Sequence, residues 1–209
     1  MLKTERMDRV RAALRAQGLT QMIVCDPKSV WYLTGVAVEP YERLLALYLP
    51  TEGEPVLFLN RLFNVPEPPC RTVWHTDTDK PVAQIAEVVD AGRPLGIDKE
   101  WPAKFLIPLM ETHPGMQVVL SSDCVDDCRA CKDAEEQTLM REASRINDAV
   151  NEAAKHYIKA GMTEREVAEF IDAQFRAHGC EGPSFTTIVS FGANAADPHH
   201  EPDDTVLKE

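Results

Sequence analysis

The sequence predicts an α/β protein: a mixed sheet with flanking helices, followed by a part made of two helices and a strand. Short apolar runs alternate with amphipathic helical patterns through the first 125 residues. Two of these runs flank a Pro- and Gly-containing turn, which is typical of a hairpin and makes the sheet mixed. Two amphipathic helices then follow in succession. The predicted domains are therefore residues 1–125 and 126–209.

Six strands and four helices are predicted in the first domain. The strands are the apolar runs at residues 21–25, 44–49, 55–59, 71–75, 95–98 and 116–120. Thr4 is expected to cap the first helix, and prolines start the others, at Pro27, Pro81 and Pro102. Pro108 is expected to kink or shorten the last helix, whose inward residues would be Phe105, Leu106, Leu109 and Met110.

The second domain begins with two capped helices. Asp133 and Glu136 have the spacing of an N-terminal capping pair, and Thr163 and Glu166 form a capping box for the second helix. The first helix carries one apolar stripe, formed by Leu139, Ala143, Ile146, Val150, Ala153 and Tyr157. The β-branched run at residues 185–190 predicts a strand, and a loop with acidic flanks follows it.

Composition excludes several classes of function. Hydrophobic residues make up 44% of the chain, which is enough for a sizeable core. The net charge of −12 disfavours binding to nucleic acid or to an anionic membrane. With no signal peptide and no long apolar segment, a cytoplasmic protein is expected, and its six cysteines are then reduced thiols.

Two clusters could carry chemistry. Cys124, Cys128 and Cys131 have the spacing of an iron–sulfur or zinc site, but they also fall on one helical face, which favours packing of small apolar side chains. His199 and His200 follow a proline on the acidic loop and could act as general acid, hydrogen-bond donor or ligand, or could form a solvated pair. The other four histidines are interpreted as surface or packing residues.

Four motifs in order resemble the prolidase, aminopeptidase P and creatinase superfamily, whose catalytic domain has the pita-bread fold. The motifs are Trp31-Tyr-Leu-Thr-Gly35, Arg129-x-x-Lys132-x-x-x-Glu136 with Arg141-x-Ala143, Gly161-Met-Thr-Glu164, and Ser190-x-Gly192-x-Asn194 with Pro198-His199. The resemblance implies a creatinase-like N-terminal domain followed by the first two helices and first strand of an α+β pita-bread catalytic domain. It further implies hydrolysis of the bond before proline.

The resemblance also carries expectations about the site. His199 matches the histidine that faces substrate in these enzymes, so it is the expected catalytic and substrate-binding residue; His200 matches no known role. Superfamily peptidases bind two divalent ions, Mn, Co or Zn, through five ligands that would lie beyond the segment matched here. No metal ligand is therefore assigned, and the 209-residue chain alone is expected to be inactive. A homodimer and a proline-containing peptide substrate are the expected partners.

Two alternatives stay open from the sequence. One is a creatinase-like hydrolase that cleaves a C–N bond without metal. The other is a non-catalytic module that binds peptides. The ligand residues expected beyond the matched segment would distinguish a peptidase from either alternative.

Overall fold

A computed structural model describes residues 2–209, which form two compact units, residues 2–131 and 132–209. The division falls six residues after the predicted boundary because the helix Asp123–Ala130 packs against the helices Thr4–Ala16 and Pro27–Thr34 of the first unit. Among the described residues, no helix is both long and apolar enough to cross a membrane.

A six-stranded mixed sheet forms the centre of the first unit, in the order β4-β3-β2-β1-β5-β6. Strands β1 and β2, and β2 and β3, are antiparallel, while the other neighbours are parallel. The strands are β1 Gln21–Val24, β2 Ala46–Pro50, β3 Val56–Asn60, β4 Arg71–His75, β5 Leu95–Ile97 and β6 Val118–Leu120. The predicted mixed sheet and its hairpin, β2–β3, are confirmed.

Helices cover both faces of this sheet. On one face, α1 (Thr4–Ala16), α2 (Pro27–Thr34) and α5 (Asp123–Ala130) contribute to one apolar cluster. On the other face, α3 (Pro81–Ala86) and α4 (Ala103–Thr112) contribute to a second cluster. Alternate residues of β1 enter the two clusters, with Met22 in the first and Ile23 in the second. Because both faces are covered, every residue of β1 is buried, as the continuous apolar pattern predicts.

Two local predictions in this unit are wrong, namely the cap of α1 and the inward position of Met110, and a third is wrong in part. Lys3, and not Thr4, is the N-cap of α1, since Thr4 already has helical geometry. Helix α4 continues through Pro108, so the proline does not shorten it, and the predicted kink stays a prediction; Leu109, the next residue, is fully buried. Met110 is 42% exposed because it lies a full 100° round the helix from Leu109 and leaves the sheet-facing side.

Two helices dominate the second unit. They are α6 (Ala134–Tyr157) and α7 (Glu164–Ala177), and both have the predicted capping boxes, at Asp133 and Thr163. The rings of Tyr157 and Phe170 stack at a centroid distance of 3.8 Å and hold the two helices together. Of the stripe predicted on α6, Val150 is buried, whereas Leu139 near the helix start is 65% exposed.

The predicted strand at residues 185–190 is not assigned in the structure: this segment has no regular secondary structure. A strand needs a neighbour to satisfy its backbone groups, and none of the described residues provides a ladder for it. A short 3-10 helix, Gly192–Ala196, follows, and the chain then returns to the start of α7. There Thr163 and Val206 form an isolated antiparallel bridge.

Candidate functional site

The loop with His199 and His200 lies beside the N-terminus of α7. His199 is exposed, and its backbone amide donates a 2.9 Å hydrogen bond to Asp197 Oδ1. Its imidazole has no hydrogen-bond partner among residues 2–209 and so remains available to a ligand. The structure therefore gives His199 an accessible ring, while its catalytic role stays a prediction.

His200 has a different environment from its neighbour. Its side chain is only 17% exposed, and Nε2 lies 2.7 Å from Oε2 of Glu164. Because an ionised carboxylate can only accept, Nε2 of His200 carries the proton in this contact. The sequence motifs predict no role for His200, but in the structure its side chain belongs to a buried polar network.

Glu164 is the centre of that network. Its side chain is fully buried, yet both carboxylate oxygens are hydrogen-bonded. Oε1 accepts from the Phe191 amide at 2.6 Å and from Asn194 Nδ2 at 3.0 Å. Oε2 accepts from His200 and, at 3.2 Å, from the Asp203 amide. A buried carboxylate with four donors is well compensated for its loss of water.

The position of Glu164 on the helix explains its burial. It is the first residue of α7, where the free amides of the first turn favour a negative charge. It also precedes Val167 by three residues, so both side chains occupy the inward face of the helix, and Val167 is fully buried. A charged residue on an apolar helical face was the signal in the sequence that could have identified Glu164.

Opposing effects set the acidity of Glu164. Burial alone would raise the pKa of this carboxyl. The donors Phe191, His200, Asp203 and Asn194 outweigh burial and hold the pKa well below the ordinary value of a glutamate. Glu164 is thus a stable anion at neutral pH, unlike a general acid or base, whose pKa lies near the working pH.

Backbone pairing reinforces the attachment of the loop to α7. The Glu164 amide donates to the Thr205 carbonyl at 3.1 Å, and the Arg165 amide donates to Asp203 at 3.1 Å. Before the helix, Gly161 and Met162 exchange backbone hydrogen bonds with Leu207 at 2.9 and 2.8 Å. Residues 203–207 are therefore hydrogen-bonded both to the α6–α7 connection and to the first turn of α7.

The described residues contain one group of three potential metal ligands, Glu164, His200 and Asp203, whose ligand atoms lie within 4.8 Å of one another. This group does not fit the two-metal centre that the resemblance implies, because it supplies three ligands where five are needed. Its atoms are also paired as donor and acceptor, and Nε2 of His200 points its proton at Glu164. That no residue of this chain is a metal ligand stays a prediction.

The cysteine cluster separates into different environments. Cys124 is buried, Cys128 is partly buried, and Cys131 is exposed at the end of α5. Burial raises the pKa of Cys124 to about 11, and also raises that of Cys128, so both thiols stay protonated at neutral pH. Cys124 packs with α1 and α2 in the core, which agrees with the packing interpretation.

The scattered histidines serve structural or surface roles, as predicted. His75 is buried, with Nε2 3.1 Å from the Leu44 carbonyl oxygen and Nδ1 3.4 Å from Asn60 Nδ2. His113 contacts the Ala86 carbonyl oxygen at 3.0 Å. None of these contacts resembles a catalytic arrangement.

Family models match both units of the chain. The Creatinase/Prolidase N-terminal domain matches residues 6–131, and Metallopeptidase family M24 matches residues 138–209. The chain belongs to the creatinase and prolidase family. The predicted architecture, an N-terminal domain followed by the start of the catalytic domain, is confirmed by these two matches.

Solved structures agree with this assignment. The dipeptidase PepE from Mycobacterium ulcerans superposes with a TM-score of 0.86 at 29% identity, over 98% of this chain and 57% of that one. A prolidase from Thermococcus sibiricus superposes with a TM-score of 0.87 at 26% identity, over 100% of this chain and 59% of that one.

Curated relatives include a peptidase of Staphylococcus epidermidis that is 27% identical over 204 residues, 96% of this chain and 58% of the relative. A peptidase of Staphylococcus aureus is 32% identical over 196 residues, 88% of this chain and 53% of the relative. Both are described as uncharacterized. The chain thus spans a little over half the length of the curated relatives it matches.

Proposed function

We propose that this chain is the N-terminal portion of an Xaa-Pro dipeptidase or aminopeptidase, which hydrolyses the peptide bond preceding proline. The observation that carries the proposal is the similarity across both units to a dipeptidase and a prolidase, each above 25% identity. The M24 match supports a metal-dependent hydrolase at the coarser level. Divalent metals are therefore the proposed cofactors, held by residues other than those described here.

We assign the substrate-facing role within this chain to His199. Its imidazole is accessible and free of intramolecular hydrogen bonds, so it can donate to a substrate oxygen on which charge develops. Its backbone is held by Asp197 on one side and by the His200 contact to Glu164 on the other. An accessible donor on an anchored backbone meets the requirement for a preorganised electrostatic contact.

A chimera tests the proposal. Residues 1–209 would be joined to the part of the Mycobacterium ulcerans dipeptidase that lies beyond the aligned 57%, and assayed on Xaa-Pro dipeptides with manganese. We expect proline release by the chimera and none by the 209-residue chain. A folded chimera that cleaves dipeptides without proline as fast as Xaa-Pro would contradict the assigned specificity.

Replacing His199 by Ala in the chimera tests the role of its ring. We expect kcat/KM to fall by about 10²–10⁴, the usual contribution of a proton-transfer or charge-stabilising side chain. His178→Ala is the matched control, because His178 is an exposed histidine of the same unit whose ring has no hydrogen-bond partner among residues 2–209. An equal loss in both variants would remove His199 from the reaction.

The homodimer is also a proposal, since it rests on the family resemblance alone. Sedimentation velocity of the chimera would report it. A monomer at micromolar concentration would remove the homodimer from the proposed description without affecting the assignment of the reaction.

A further inference from the structure

The loop from Phe191 to Asp203 folds around a single carboxylate. Glu164 binds this loop at its beginning, through Phe191; in its 3-10 helix, through Asn194; and near its end, through His200 and Asp203. These contacts reach across 27 to 39 positions of sequence. Because the carboxylate belongs to the first turn of a 14-residue helix, it gives the loop a rigid reference point.

The two adjacent histidines have different environments: His200 is hydrogen-bonded to the protein, and His199 is exposed to solvent. His200 is held by Glu164 and lies 3.1 Å from Asn194 Nδ2, whereas the His199 ring lies in solvent. The Asp197 carboxylate fixes the His199 amide from the preceding side. The backbone of His199 is therefore restrained at two neighbouring points while its ring remains free to meet a ligand.

We propose that Glu164 is a positioning residue which, through His200, sets the orientation of His199. The functional meaning of this assignment rests on the proposed function, because His199 faces a substrate only if that function holds. The orientation itself is a property of the loop, and it can be measured in the 209-residue chain without any substrate.

Glu166 offers a matched control in the same helical turn. It too is a glutamate whose carboxylate accepts hydrogen bonds, from the amide and the hydroxyl of Thr163 at 2.8 and 3.1 Å. It differs in being exposed and in contacting only the helix cap. A general effect of losing an acidic residue at the start of α7 would appear in both glutamate variants.

Amide hydrogen exchange on the isotope-labelled 209-residue chain tests the anchoring. In Glu164→Gln, one of the two carboxylate oxygens is replaced by an NH2 donor, so the loop donors on that side, which include either the Phe191 amide or the Asp203 amide, lose their acceptor. We expect exchange at one or both of these amides to become about tenfold faster or more. In Glu166→Gln, the same amides should exchange at the parent rate.

A pair of substitutions at His200 separates positioning from general stability. Gln at position 200 keeps an N–H donor for Glu164, whereas Leu keeps the bulk and removes the donor. We expect His200→Leu to shift the imidazole and backbone resonances of His199, and His200→Gln to restore them towards the parent values. A merely structural role would make both variants lose stability without this difference at His199.

Several results would overturn the assignment. Unchanged exchange at Phe191 and Asp203 in Glu164→Gln would show that the carboxylate does not hold the loop. Resonances of His199 that are the same in the parent, His200→Gln and His200→Leu would show that His200 does not orient it. If Glu164→Gln does not fold, the His200 pair decides alone. Failure of the chimera to release proline would affect the proposed function and leave these measurements unchanged.

Discussion

The two units of this chain are organised by different forces. In the first, a six-stranded sheet has helices on both faces, and apolar residues such as Leu57 and Ile23 are fully buried on its two sides. In the second, Glu164 collects four hydrogen bonds from one loop, while Leu139 and Phe185 are 65% and 72% exposed. Non-directional burial stabilises a scaffold, whereas directional hydrogen bonds specify where one side chain stands.

The largest expected effect is on the core of the first unit. Leu57→Ala removes a fully buried side chain from β3, which costs about 3–5 kcal/mol by lost burial and by the cavity left behind. Fluorescence during urea unfolding measures it, because all three tryptophans (31, 74 and 101) lie within residues 1–131. Leu139→Ala, at an exposed position, is the control and should leave that transition unchanged.

Replacing Glu164 by Ala should be the next largest effect. The substitution leaves four donors without their acceptor, and we expect a loss of about 2–3 kcal/mol in the second unit. Hydrogen exchange at α7 amides measures it separately from the first unit. If Leu57→Ala reduced the protection of α7 amides from hydrogen exchange as strongly as Glu164→Ala does, the two units would not be stabilised by separate interactions.

The depressed pKa of Glu164 predicts how this stability depends on pH. The folded state holds the carboxylate ionised to lower pH than the unfolded chain, so its contribution is complete above the unfolded pKa of about 4.3. The contribution is lost as pH falls below that value towards the folded pKa. In the parent, we expect the protection of the loop amides from hydrogen exchange to decrease between about pH 4 and pH 2. This decrease should be absent from Glu164→Gln.

Removing the cap of α7 should have a smaller effect. Thr163→Ala deletes the hydroxyl that accepts from the Glu166 amide, which typically costs about 1 kcal/mol. Thr163→Ser keeps the hydroxyl and serves as the control. Exchange rates of the first-turn amides measure the change; equal rates in the Ala and Ser variants would argue against a capping role.

The smallest effect is expected at the surface of α6. The Arg145–Glu142 pair is short, at 2.6 Å, but both side chains are more than half exposed. Water and salt weaken such pairs, so Arg145→Ala should produce no resolvable change in helix stability. A clear loss would show that exposed ion pairs, in addition to the Glu164 hydrogen bonds, contribute to the stability of the second unit.

The sequence predicted most of the first unit because its pattern is local. The apolar runs at β1 and β3 and the prolines that start α2 and α3 each signal one element without reference to distant residues. The strand predicted at residues 185–190 failed for the complementary reason. Its β-branched residues favour extended backbone, but a strand also depends on a partner, which no local pattern supplies.

In the candidate site too, the sequence predicted the features that depend on local motifs and missed those that depend on distant residues. The order of the motifs predicted a functional role for His199, and the spacing of Asp133 and Thr163 from their glutamates predicted both capping boxes. The role of Glu164 could not be deduced in that way, because its four donors lie 27 to 39 residues away. Burial of a carboxylate and its compensation by distant amides are properties of the folded chain.

By itself, the sequence determined the family, the α/β order of the first unit and the starts of the two long helices, because periodicity and capping act over a few residues. The tertiary structure decided that His200 is held and His199 is exposed, although the two residues are neighbours of the same type. That choice depends on where the Glu164 carboxylate lies once α7 and the loop have come together. Hydrogen bonds are directional and short, so only folding can bring these groups within reach of one another.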